Sequence, residues 1–545
     1  MKSCLTLLIS LLFLANALPE PNLRTLSSYN NPLNNVRKSL VDRALNSLPA
    51  RTSVSMTDMI NYMVSAINAN GFYQAEGAYM LYKWIGYNIQ YDCYNSYYYP
   101  NLLPVSDIDT YNLGRGGDLG ISRLFVTMGN ALGFYSYEIQ GYSKVSTYVQ
   151  GKLPSQPDHV WNGVMIDNVY YLIDMSWALG DCNVDKFYPA FSDFYFCTEP
   201  NIFIRSHLPQ DQTWQLVNPT ITITQFVNSL KLTKNFYENG FKTVSPDKSS
   251  IIPTGTGQFT VTFTFDTQTQ KELITHLYYP KGNSYQEQYN ACWVDKKTNS
   301  AEIKCYASYA GQNKLYIYGG TYYPQTNNYP FLLEYDITVN QNAYKPVGCP
   351  EPYRDFLQNK DFHLVEPMNS PLTRSRKYNF KIKSSGFGNL YIINDDTTKN
   401  NKHFRELDYQ GGVFSGSDVY IFGKAVYIGT YQNNVFNYIA KYNTTRDSSS
   451  SIDATFPRSY AAKKNTLLSP FTGTIIIGKQ YYYEIKCESC YGMGIKEAGY
   501  FAQLAQSGTK FYIYYTAYGY DKKLQLGEYY GGQFTPIYEY DLSRY

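Results

Sequence analysis

No run of lysine or arginine stands out in this chain, and its formal charge is only +3 over 545 residues. That excludes nucleic acid or an anionic membrane surface as a main partner, since clustered positive charge is what holds both. Beyond one apolar run near the start, no segment approaches the roughly 20 apolar residues that a spanning helix needs, so no membrane span is expected. No glycine-rich loop ends in Gly-Lys-Ser/Thr, which excludes a phosphate-binding loop of that kind. Cys-x-x-Cys occurs once, at Cys487 and Cys490. Without a second copy or a neighbouring histidine it makes a poor zinc site, and no thioredoxin-like strand–helix–strand pattern surrounds it. No cofactor and no metal is expected.

What is present points to an exported, multidomain chain. The length exceeds one ordinary domain, and the hydrophobic fraction of 44% is enough for real cores. Lys2 precedes the apolar run "CLTLLISLLFLANA", and Ala15-Asn16-Ala17 is a small-x-small cleavage site. This reads as a secretory signal peptide over 1–17. The C-terminal "YEYDLSRY" has no hydrophobic tail, so no GPI anchor is expected. Cleavage after Ala17 leaves eight cysteines: Cys93, Cys182, Cys197, Cys292, Cys305, Cys349, Cys487 and Cys490. An even number in an oxidising compartment favours disulfides. Cys292 and Cys305 bracket a hairpin-like "WVDKKTNSAEIK" and are expected to pair. Asn443-Thr444-Thr445 is a sequon that can carry a glycan. Fifty-nine tyrosines suit half-exposed sheets, and fit either an adhesive surface or a bias of background composition.

The periodicity changes along the chain. Residues 35–90 carry apolar positions at three- and four-residue spacing, in "MTDMINYMVSAINANG" and "GAYMLYKWIGYNIQYD", and predict helices. Ile121, Leu124, Phe125, Met128 and Leu132 extend the pattern. "FYSYEIQGYSK", "HVWNGVMID" and "VYYLIDMSW" then read as consecutive antiparallel strands. Helices followed by a meander give an α+β domain over 35–245, after an N-terminal linker at 18–34. From about 248 the signal is all strand. "LYIY" at 315–318, "VYIF" at 419–422 and "FYIY" at 511–514 repeat at about 100 residues, each followed by a closing strand around Tyr335, Tyr442 or Tyr540. This predicts three β-sandwich modules, at 246–342, 343–446 and 447–545, with "DSSSS" from Asp447 to Ser451 as the last linker.

One constellation could carry chemistry. Asp118 opens a helix behind the glycines of "GRGGDLGISRLF", His159 begins a strand, and Asp174 follows in the next. A His beside an Asp on neighbouring strands is the orienting half of a nucleophile–His–Asp triad. The nucleophile belongs at a helix N-terminus, where free N–H groups bind an oxyanion; the glycine corner supplies that place but no nucleophile. Asp118 there is expected to cap the helix and to pair with a protonated His159. Asp118, His159 and Asp174 are also readable as a two-carboxylate, one-histidine metal set, a reading that fails if Asp174 is occupied by the His159 ring. Ser122, one turn into the helix, and Trp84, Trp161, Trp177 and Trp214 are expected to pack. His207 is expected to make a structural hydrogen bond. His276, His363 and His403 are scattered.

These segments resemble a transglutaminase-like domain of the papain-like superfamily, in its kyphoscoliosis-peptidase/hillarin branch. The motifs are "KWIGYNIQYD" (Lys83 to Asp92), the helix start with Gly116, Asp118, Gly120, Leu124 and Phe125, the strand His159 to Asn162, the strand Tyr171 to Trp177, and the tail "DFYFCTEPNIFIRSHLPQDQTWQLV" from Asp193 to Val217. The resemblance covers about 35–230 and implies immunoglobulin-like sandwiches after the domain. It also implies that Asp118 stands at the family's nucleophilic cysteine, so that Asp118, His159 and Asp174 are vestigial triad positions. A carboxylate attacks an amide far more weakly than a thiolate and would give a high-energy mixed anhydride. The expected function is therefore protein or peptide binding, or extracellular assembly, by a secreted inactive relative. The alternatives are a cysteine peptidase or transferase using a relocated thiol such as Cys93, and an adhesion or sugar-binding protein working through its sandwiches.

Overall fold

The computed structural model describes residues 29–145, 148–255, 257–266, 272–322, 328–342, 347–353, 361–396, 401–432, 435–446, 458–459, 465–470, 474–487 and 489–544. The expected signal peptide and the 447–451 linker lie outside them. The chain forms two compact units, residues 1–234 with 247–250, and residues 235–246 with 251–545.

The first unit is α+β. Helices Lys38–Asn46, Met56–Asn70, Gln74–Asn88 and Asp118–Ala131 surround one side of a four-stranded antiparallel sheet. Its order is Val169–Ile173, His159–Ile166, Tyr135–Ser143, His207–Pro209. Helix Gln74–Asn88 is buried along most of its length, through Tyr79, Leu81, Tyr82, Trp84 and Ile85. Its first turn is fixed by Glu76, which caps Tyr73 N–H and takes the Arg37 guanidinium at 2.6 and 2.7 Å. Helix Asp118–Ala131 lays Ile121, Leu124, Phe125 and Met128 into the same core. That core extends before the expected boundary at 35, because Tyr29 and Leu33 pack against it.

The second unit is all β. Three sandwiches each join a four-stranded sheet to one of five or six strands. Their cores draw on both sheets; in the second, Leu364, Phe380, Ile382 and Phe414 of one sheet meet Ile392, Val426, Ile428 and Tyr442 of the other. The first sandwich begins before residue 246, since Phe241–Ser245 pairs with Gln258–Phe265. Its outward-facing Trp293 and Tyr306 are buried in the core cluster of the second sandwich, with Trp293 6.2 Å from Phe362 between ring centroids. Asp295 also pairs with His363, whose other nitrogen lies 2.8 Å from Asp361.

A common device closes each sandwich. The buried Tyr335 donates its hydroxyl to Pro246 O at 2.7 Å, Tyr442 to Pro367 O at 2.8 Å, and Tyr540 to Pro470 O at 3.4 Å. These three tyrosines are equivalent, as the repeat predicts. The "LYIY" match is not. It lies on Gly311–Gly320, which pairs with the closing strand of its module, whereas "VYIF" and "FYIY" lie on strands Val413–Ile421 and Lys510–Thr516 of the opposite sheet. Aromatic alternation has a period of two on any half-buried strand, so it does not say which strand it marks.

Candidate active-site cleft and its charge network

The corner at 114–125 is built by two motifs meeting. Gln90–Tyr91 pairs in parallel with Arg115–Gly116, with Gln90 N–H on Gly114 O at 2.9 Å and Asp92 N–H on Gly116 O at 3.0 Å. The glycines serve close packing. A Cβ on Gly120 would stand 2.4 Å from both Pro104 O and Thr110 Oγ1. Helix Asp118–Ala131 then starts from Gly117, which is its N-cap. Asp118 is the first helical residue and caps nothing with its side chain, contrary to expectation. Its carboxylate is taken instead by a residue of the sheet.

That residue is His159. Its Nδ1 lies 2.9 Å from Asp118 Oδ2 and its Nε2 lies 2.7 Å from Asp174 Oδ2. The sheet register brings the partners together: His159 sits opposite Gly141, and Asn162 opposite Ile173, so Asp174 emerges beside the His159 strand. Asp174 lies just past its strand and caps the short helix Met175–Leu179, accepting from Trp177 N–H and Ser176 Oγ, each at 2.9 Å. Side-chain exposure falls from 22% at Asp118 to 1% at His159 and none at Asp174, so the row runs from the cleft into the core. The Trp177 ring covers His159 at 5.2 Å between centroids.

A fourth member joins from the tail motif. His207 Nε2 lies 2.9 Å from the same Asp174 oxygen, and its Nδ1 lies 2.8 Å from Ser206 Oγ. Sequence reasoning assigned His207 a structural bond but not its partner; the signal was the edge pairing Ser143↔His207, which only the sheet reveals. Donor atoms of His159, Asp174 and His207 lie within 4.8 Å of one another, close enough to surround a divalent ion, but hydrogen bonds occupy each of them. The metal reading with Asp118 as a ligand does not fit, because Asp118 lies on the far nitrogen of the His159 ring.

The electrostatics follow from burial and neighbours. Burial opposes a charge on His159, but the charges and hydrogen bonds of Asp118 and Asp174 override it, and its pKa is pushed up to about 10. Asp174, which burial would raise, is held well below the usual carboxylate range by His159 and His207. His207 is lowered, first by burial and then by the charge on His159, against the pull of Asp174. Tyr91 borders the site, its hydroxyl raised by burial and by the charge of Asp118.

The other nucleophile candidates are accounted for. Cys93 is bonded to Cys182, which removes it as a relocated thiol. Ser122 is buried, donates to Trp161 O at 3.2 Å and accepts from Asn162 Nδ2 at 2.9 Å, so it ties the helix to the sheet. Cys292–Cys305 pair as expected across their hairpin, and Cys487 pairs with Cys490. Not every cysteine is oxidised: Cys349 is a buried thiol, raised by its burial.

Comparison with known proteins agrees with this architecture. Residues 223–350 match the family model described as a KY-like, immunoglobulin-like domain. Mouse kyphoscoliosis peptidase is 27% identical over 309 residues, covering 54% of this chain and 44% of the relative. The human protein of that name is 29% identical over 236 residues, covering 43% and 33%. On these matches the chain is similar to the transglutaminase-like, kyphoscoliosis-peptidase branch. Hillarin of Drosophila melanogaster is similar at 26% over 168 residues, 28% of this chain and 20% of the relative. The chain thus spans less than half the length of each of these relatives. The architecture is that of a transglutaminase-like domain followed by immunoglobulin-like modules.

Proposed function

We propose that this is a secreted, catalytically inert member of its branch, which binds a protein or peptide in the cleft of its first domain or assembles at an extracellular surface. The observation that carries the reading is the contact between Asp118 and His159 at 2.9 Å. In a cysteine enzyme the imidazolium faces a thiolate, and acyl transfer proceeds through a thioester. Here the same ring nitrogen faces a carboxylate. The charge pair is kept, while the polarisable attacking atom is not. Asp118 also sits at the positive end of helix Asp118–Ala131, where a fixed negative charge is favoured. Export is supported by the apolar N-terminal run and by three disulfides among the described residues, since such bonds persist in oxidising compartments.

The test is covalent capture. A glutamine-containing peptide carrying an electrophilic trap should leave the unaltered protein unlabelled, and Asp118→Cys should be labelled in a His159-dependent way. Labelling of the unaltered chain at any residue of the cleft would falsify inertness. Binding is read separately, by titrating the full chain with unreactive peptides. Affinity unchanged by Trp177→Ala or Tyr91→Ala would move the binding site away from the cleft.

A further inference from the structure

We propose that His207 is a positioning residue of this site: it donates Nε2–H to Asp174 Oδ2, holds that carboxylate against the inner nitrogen of His159, and so turns the outer nitrogen toward position 118. This rests on the ion-paired reading of the cleft and goes beyond it, because His207 is fully buried and so can act on position 118 only through Asp174 and His159.

Asp174 is surrounded by four donors. Oδ1 accepts from Ser176 Oγ and Trp177 N–H, each at 2.9 Å, and Oδ2 faces the two histidine Nε2 atoms at 2.7 and 2.9 Å. A protonated carboxyl would have to give up one of these bonds, so four donors hold it as an acceptor only. On the other side of His207, the Ser206 hydroxyl stands 2.8 Å from Nδ1. If that hydroxyl donates, Nδ1 is the acceptor nitrogen and the single hydrogen of a neutral ring lies on Nε2, facing Asp174. Independently of Ser206, whose hydroxyl also lies 3.4 Å from Phe203 O, an ionised Asp174 can only accept, so the hydrogen facing it belongs to His207 Nε2.

The ring is also immobilised. Phe203 stacks on His207 at 4.0 Å between centroids, Trp177 closes on it at 4.4 Å and Trp161 at 5.2 Å. Its backbone is held by pairing with Ser143 at the sheet edge. Ionisable groups around the two rings are Asp118 and Asp174, with Tyr91 beside Asp118 and Tyr82 and Tyr195 behind Asp174. Removing His207 would leave Asp174 Oδ2 with one donor in a dry site, where an unpaired acceptor is costly.

The experiment uses the thiol introduced by Asp118→Cys in the full chain as a reporter. Its alkylation rate against pH gives the thiol pKa, which is expected below the ordinary ~8.5 because it faces an imidazolium. Adding His207→Phe should raise that pKa by at least one unit, a tenfold loss of thiolate at a pH below both values. His207→Gln, whose side-chain amide can also donate to Asp174, should recover most of the shift. An unchanged thiol pKa in the Phe variant, or no recovery in the Gln variant, overturns the proposal. A second measurement needs no substitution: the imidazole nitrogen spectrum of the unaltered protein should show His207 neutral with hydrogen on Nε2, and finding it on Nδ1 overturns the proposal as well. The same spectrum separates the two ideas. A neutral His159 at pH 7 sinks the ion-paired reading, whereas a charged His159 beside an Nδ1–H His207 sinks only the role given to His207.

Discussion

Asp118 Oδ2 and His159 Nδ1 lie 2.9 Å apart, and that contact sets how the first domain responds to pH. The folded ring binds its proton more tightly than an unfolded histidine, since its pKa is pushed up to about 10. A group raised on folding contributes stability that is fully present below its unfolded value, near 6.5, and lost as pH rises through the folded value. The first domain should therefore lose stability between about pH 6.5 and 10, and His159→Gln should flatten that slope. Thermal unfolding followed by tryptophan fluorescence suits the test, because Trp84, Trp161, Trp177 and Trp214 all lie in this domain and only Trp293 lies elsewhere. Equal slopes in the two proteins would contradict the ion pair.

The glycine corner should tolerate no side chain at position 120. A methyl there meets a backbone carbonyl and a buried hydroxyl at 2.4 Å, and neither is the end of a flexible chain. Overpacking of this kind costs about 1–3 kcal/mol. Gly120→Ala is expected to lower the melting temperature of the first domain, while Gly133→Ala at an open site should do so only through its positive φ.

Each sandwich should lose a similar increment when its closing tyrosine loses the hydroxyl. Tyr442→Phe removes the bond to Pro367 O and leaves a buried carbonyl short of a donor, a loss of about 1–3 kcal/mol. Amide exchange should accelerate in the strands of the second sandwich and not in the first domain. Uniform acceleration would mean that the hydroxyl is not a local clasp.

Peptide mapping without reduction should recover the pairs Cys93–Cys182, Cys292–Cys305 and Cys487–Cys490. Cys349 should resist alkylation until the chain unfolds, because it is buried and its thiol is raised. Rapid labelling of Cys93 in the native protein would restore the relocated-thiol reading.

Much of this was legible in the chain, for reasons that differ by region. The helices of the first domain declare themselves through apolar spacing, and His159 and Asp174 through the length of strand and turn between them. The helix start misled: Asp at such a place is an N-cap by local preference, but Gly117 takes that role and a ring from a distant strand claims the carboxylate. Tertiary electrostatics outweigh a local cap. His207 could not be assigned, because its contact with Asp174 depends on which strand forms the sheet edge. The sandwiches showed the same contrast. Tyr335, Tyr442 and Tyr540 marked equivalent places because one buried hydroxyl must find one carbonyl, while alternating aromatics left the strand register open.

Trp293 and Tyr306 have a consequence for how the chain can be divided. Both are covered by residues from the far side of the boundary that strand counting sets near 342. Domains strung on open linkers can be excised one at a time; these two cannot. A fragment ending at 342 would carry a bare tryptophan and the unpaired Asp295, and a fragment starting at 343 would carry the matching hole around Phe362. A fragment that holds both of the first two sandwiches is therefore expected to be more stable than either cut at 342.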